Sequence, residues 1–137
     1  MLAKLYKHYE NIPEADRIER MKRDGARILP SLSNINGNGV RELIIFIFAA
    51  CDMGEISSDD YSLLCKTVGE LPDYESALRL FTAAENAETD EIGDAVETVS
   101  LLDDETKSSL ISFLLCFCAS RGKGLRGEKR FLKKFLK

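Results

Sequence analysis

Tryptophan is absent from this chain, proline occurs three times and histidine once. The single histidine, His8, has no partners for a Ser-His-Asp, Cys-His or His-Glu-x-x-His arrangement, so nucleophilic and zinc-hydrolase chemistry find no constellation here. Four cysteines, Cys51, Cys65, Cys116 and Cys118, include no Cys-x-x-Cys pair. A structural zinc site needs about four Cys or His ligands at fitting spacings, and these thiols lie in apolar helical runs, where free Cys behaves as a small buried hydrophobe. No run of about eighteen apolar residues is present, which excludes a spanning helix. The opening MLAKLYKHYE has no apolar core of the kind a secretory leader carries. A cytoplasmic location is the expectation.

What is present is globular. In 137 residues, 45% are apolar and 31% charged, enough for one domain with a real core. The net charge of −4 conceals an asymmetry. Asp52 to Glu105 holds sixteen acids against two bases, a net of −14, whereas Arg121 to Lys137 holds eight bases against one acid, a net of +7. An acidic face and a basic end are expected. The overall sign disfavours nucleic acid, leaving the basic end as the one segment suited to phosphate or an anionic membrane surface.

Apolar residues recur with helical spacing, and strand alternation is scarce. A first helix is expected over Leu2 to Glu10, with Leu2, Leu5, Tyr6 and Tyr9 on one face. Pro13 suits a new first turn, and the helix it starts runs from Glu14 to Leu29, ending before Pro30. Ser31 to Gly39, SLSNINGNG, reads as a loop. Val40 to Cys51 is long enough for a buried helix despite its β-branched content. Further helices are expected over Ser58–Leu71, Asp73–Asn86, Asp90–Leu101, Asp104–Ser120 and Arg126–Leu136. The fold class is therefore all-α, a bundle of seven or eight helices in a single domain, residues 1–137.

Two stretches resemble each other, FIFAACDMGEISSDDYSLLCKTV from Phe46 and LCFCASRGKGLRGEKRFLKKFL from Leu115. Each is an all-round apolar helix, a glycine-containing turn and an amphipathic helix. Phe48 pairs with Phe117, Ala50 with Ala119 and Ile56 with Leu125; after a one-residue shift, Leu63 and Leu64 pair with Phe131 and Leu132. Helices apolar on all sides must be enclosed, and two of them are expected to pack together at the centre of a pseudo-twofold repeat.

The first turn, AACDMGEISSDD, invites an EF-hand reading. With Gly54 at the sixth position, Ile56 falls at the eighth and Asp60 at the twelfth. Positions one, three and five are then Ala49, Cys51 and Met53, none with an oxygen-bearing side chain, so the loop chemistry fails. Capping accounts for more. Gly54 suits a left-handed helix end, Ser57 an N-cap with Asp60 three residues on, and Ile56 and Tyr61 the staple positions. Asp59 and Asp60 favour the positive end of the new helix dipole. Asp52 and Glu55 are left without a structural role.

A helix, an Ala-x-Asp-Gly-x-apolar-Ser-x-x-acid turn and a second helix, occurring twice, resembles the tellurite-resistance TerB-like family. Asp52, Gly54, Ile56, Ser57 and Asp60 match in the first copy, with Met53 inserted; Gly122 or Gly124, Leu125 and Glu128 match in the second. Arg121 stands near the place of the family's second Asp. Val96 to Leu115 is similar to the helix pair leading into the second motif. The resemblance covers residues 40–137, leaving 1–39 as N-terminal helices and loop. It implies an all-α fold with two pseudo-symmetric helix pairs, a link to stress and tellurite resistance, acidic metal binding and membrane-associated partners. Asp52, Glu55, Asp59 and Asp60 are the candidate ligands for a divalent ion. The second copy, with Arg121, Lys123, Arg126, Lys129 and Arg130 around one carboxylate, opposes a matching second site.

The basic residues of the end, Arg121, Lys123, Arg126, Lys129, Arg130, Lys133 and Lys134, are the candidates for an anion or membrane surface. GKGLRG, Gly122 to Gly127, reads first as a degenerate copy of the turn and second as backbone amides for a phosphate. The stripe Phe131, Leu132, Phe135 and Leu136 is expected to dock into the core. The functional expectation is a non-enzymatic binding domain with a protein partner and no resident cofactor; the alternative is a metal-ion or metalloid-responsive binder.

Overall fold

Pro30 does not end the second helix. The computed structural model describes residues 2–51, 55–122 and 132. Among them the elements are α1 (Leu2–Asn11), α2 (Glu14–Asn36), α3 (Gly39–Ala50), α4 (Ser58–Thr67), α5 (Tyr74–Asn86), α6 (Glu91–Ser100) and α7 (Asp104–Arg121). The bundle is all-α, as the periodicity predicts. The helix expected over Arg126–Leu136 lies outside the described residues apart from Leu132, which is buried in the core.

Running through Pro30, α2 absorbs most of the loop expected at Ser31–Gly39. An internal proline costs about 3 kcal/mol. Ile28, Leu29 and Leu32, all buried in the core, flank it, and each contributes roughly 1.5–3 kcal/mol on burial. Tertiary packing thus outweighs the local break. The helix ends instead at Gly37, whose φ of 79° is left-handed and whose N–H donates to the Ser33 carbonyl at 2.8 Å. Only Gly37 and Asn38 then connect α2 to α3. By contrast, α4 is shorter than expected: Val68 leaves the helix in an extended conformation, φ −128°, four residues before Pro72.

Four helices begin on the same device. Ser57 accepts a hydrogen bond from the Asp60 amide at 3.1 Å, Asp73 from Ser76 at 2.8 Å, Asp90 from Gly93 at 3.0 Å and Asp103 from Thr106 at 2.7 Å. Each satisfies an amide that the first turn leaves without a partner.

Both apolar helices are enclosed, but not chiefly by each other. The closest backbone neighbour of α7 is α2, followed by α1; α3 lies against α2, α6 and α5. The buried side chains of α3 and α7 join one core cluster, with α2 lying against both helices. The paired Leu64 and Leu132 are both buried there. On the far side, Ile45 of α3 meets Ala84 and Ala95 of α5 and α6.

Gly25 lets α2 approach the end of α4. A Cβ there would stand 2.8 Å from Val68 Cγ2 and 3.4 Å from the Thr67 carbonyl oxygen. Val68 is buried and β-branched, so it has little room to turn aside. Gly25→Ala is expected to lower stability by about 1–2 kcal/mol in denaturant unfolding, overpacking outweighing the helix-propensity gain. Gly69→Ala, facing open space, serves as the control. A Gly25→Ala protein more stable than wild type contradicts this packing.

Candidate functional site: the acidic turn and its arginine

The turn between α3 and α4 is held from several sides. Ile56 is buried, and its carbonyl accepts a hydrogen bond from the Tyr74 hydroxyl at 2.5 Å. The Tyr61 hydroxyl donates to the Pro72 carbonyl at 2.6 Å. Tyr61 packs between Phe48 and Tyr74, with ring centroids 6.0 and 5.7 Å away. Both staple positions, Ile56 and Tyr61, are therefore anchored in the core, and Ser57 caps α4 as its spacing requires.

The partner of the turn comes from the other end of the chain. Arg121, last residue of α7, donates from Nε to Asp60 Oδ2 at 3.1 Å and from Nη2 to the Glu55 carbonyl at 3.1 Å. Its guanidinium also lies over the Phe117 ring, 5.4 Å from the centroid. The Arg121 side chain is 2% exposed and that of Asp60 17%. Burial alone would pull the Arg121 pKa down; neighbouring groups, the Asp60 hydrogen bond and charge among them, more than offset it and hold the guanidinium above its ordinary value. Gly122, at φ 72°, then closes α7 in the left-handed conformation, one of the two glycines matched in the second copy.

This geometry sorts the candidate residues. Asp60 is bridged to Arg121. Asp59 and Glu55 are exposed on either side of the cap. Asp52 lies outside the described residues, as do Lys123, Arg126, Lys129, Arg130, Lys133 and Lys134. Arg121, grouped by sequence with that basic surface, is turned inward onto the acidic turn. Among the described residues no three His, Cys, Asp or Glu side chains gather as metal ligands. An ion at Asp60 would compete with a guanidinium already in place, and the two cations would repel.

Beside the ion pair, an open cleft of about 280 Å³ separates the start of α2 from α4 and the end of α7. Ile18 and Leu63 give it an apolar wall, and Asp59, Asp60, Lys66 and Arg121 a charged one. The four thiols are free. Burial pushes Cys116 up to about 11 and raises Cys65, so neither is a thiolate nucleophile near neutral pH. Among the described residues no helix is long and apolar enough to cross a membrane.

Sequence reading missed a second polar cluster. Arg20, Asp24 and Arg27, at helical spacing on α2, face Ser109 and Ser112 of α7. The signal was legible as two serines interrupting an otherwise apolar helix. Compared with protein-family models, curated proteins and solved structures, the chain matches none.

Removing one member of a buried ion pair leaves the other uncompensated, at a cost of about 3 kcal/mol. Arg121→Met is expected to destabilise the protein by that order, and Arg121→Lys to recover only part, since an ammonium cannot reach Asp60 and the Glu55 carbonyl in the same fork. Chemical denaturation measures both. Arg121→Met with unchanged stability would remove the joint.

Proposed function

We propose that the protein is a non-enzymatic helical interaction module whose acidic face receives a basic segment of a partner protein. The observation that carries this reading is the charge of α5, α6 and their flanking turns. From Glu70 to Glu105 the chain has twelve acids and one base, Arg79. All twelve except Glu91 are exposed. Asp73, Asp90 and Asp103 cap helices, Glu91 is bridged to Arg41, and Glu105 pairs with Arg27 at 2.9 Å. Glu85, Glu88, Asp94 and Glu97 project from a scaffold fixed by Ile45, Ala84 and Ala95. A field of one sign on a rigid helix pair steers a cationic partner and sets its orientation.

The resemblance to the TerB-like family supports the same class. It alone carries the link to stress or tellurite-type resistance and to a membrane-associated partner; the cytoplasmic location rests on sequence. The metal-responsive alternative draws on Asp52, Glu55, Asp59 and Asp60. The bridge from Asp60 to Arg121 favours the interaction reading over it, because one of its four carboxylates is already neutralised.

Immobilised protein is expected to recover a specific partner from native extract at low salt and to release it as salt rises past the screening range of surface charge. A Glu88→Lys, Asp94→Lys, Glu97→Lys variant should lose it. A partner retained equally by the variant sinks the acidic face as the docking surface; recovery of nothing specific sinks the module itself.

A further inference from the structure

Three arginines converge where α2 crosses α7. Arg20, Arg23 and Arg27 line an open cleft of about 250 Å³ together with Asp24 and Ser109. The cleft has a fixed floor. Arg20 donates from Nε to Ser112 Oγ at 2.7 Å and stacks on Tyr9, 5.3 Å from the ring centroid. Ser109 and Ser112 are buried polar positions on a helix otherwise sunk in the core. Arg27 is held at the rim by Glu105 at 2.9 Å. Arg23 is exposed.

Asp24 is the one carboxylate among these guanidiniums. Its Oδ2 is buried without a hydrogen-bond partner. Burial raises its pKa, against the pull of Ser112 and the three arginines. The carboxylate therefore neutralises one guanidinium at most, while its buried Oδ2 gains no bond from them. Arg23 and the unused donors of Arg20 line the open space, with Arg27 bridged to Glu105 at its rim. Three guanidiniums against Asp24 and Glu105 leave one positive charge over, and guanidinium forks suit a tetrahedral oxyanion.

We propose that this cleft is an anion site for a soluble phosphate group, free or as a small monoester. Arg23 and the unused donors of Arg20 hold its oxygens, Ser109 contributes a hydroxyl, and Arg27 turns from Glu105 to the ligand. Asp24 opposes the anion and limits its affinity. The cleft meets the acidic run at Glu105 but is not lined by Glu88, Asp94 or Glu97, so partner capture and anion binding fail independently.

The test is titration of the full chain with inorganic phosphate, and separately with glycerol phosphate, followed by amide chemical shifts and calorimetry at constant ionic strength. Shifts are expected at Arg20, Arg23, Asp24 and Ser109. Arg23→Ala, an exposed position that leaves the fold intact, should weaken binding roughly tenfold, the loss of one charge-assisted contact. Asp24→Asn, which removes the opposing charge at constant size, should tighten it roughly tenfold. Preference between the two probes tells free phosphate from an ester. An absence of shifts at these residues overturns the proposal, and so does binding indifferent to both substitutions.

Discussion

Two helices that are apolar on every side set the terms for the whole molecule. Neither α3 nor α7 has a face to give to water, so each must be walled in completely. With few residues available, one long helix serves both. α2 lies against α7 along one side and α3 along the other, while α1, α5 and α6 close what remains. The length of α2 follows from this duty. It continues past Pro30 because Leu32 is needed in the core, and it carries a glycine where the end of α4 comes too near for any side chain.

The same seam supplies the polar features. α2 presents Met21 and Ile28 to the core and Arg17, Arg20 and Asp24 to the serines of α7. Arg17 donates to Ser120 at 3.0 Å and to the Ile12 carbonyl at 2.7 Å, tying α7 to the connection between α1 and α2. At the end of α7, Arg121 ties that helix to the acidic turn. Arg17, Arg20 and Arg121 are brought out of water where a partner meets them; Asp24 Oδ2 is buried without one. On α5, α6 and their flanking turns, the capping Asp73 and Asp90 and the glutamates Glu75, Glu85, Glu88 and Glu97 are exposed to solvent.

Local chemistry was legible in the sequence to the extent that it was local. Ser57 announces a helix start from within three residues, and its cap forms; the helices expected to begin at Asp73, Asp90 and Asp104 begin within one residue of those places, on aspartate caps. The apolar runs at Leu43–Phe48 and Phe113–Cys118 announce burial, and both are buried. Pro30 misleads because propensity is a nearest-neighbour rule and the force overriding it comes from α3 and α7. That α3 and α7 share a core followed from apolarity on every side; that α2 lies against both did not, because that is set by the fold. Arg121 and Asp60 are 61 residues apart; only the fold makes an acid expected for metal and a cation expected for a surface into each other's partner. Asp24 was hidden for the same reason, its environment being set by serines on another helix.

α2 is a shared wall for α3 and α7, with no independent stability of its own. Native-state hydrogen exchange reads this directly. Amides around Met21, Ile28 and Leu32 are expected to exchange only through global unfolding, with the same opening free energy and denaturant dependence as those of Leu43–Phe48 in α3 and Phe113–Phe117 in α7. If the stretch of α2 beyond Pro30 opens at a markedly lower free energy while α3 and α7 stay fully protected, the two apolar helices are enclosed without it and the account is wrong.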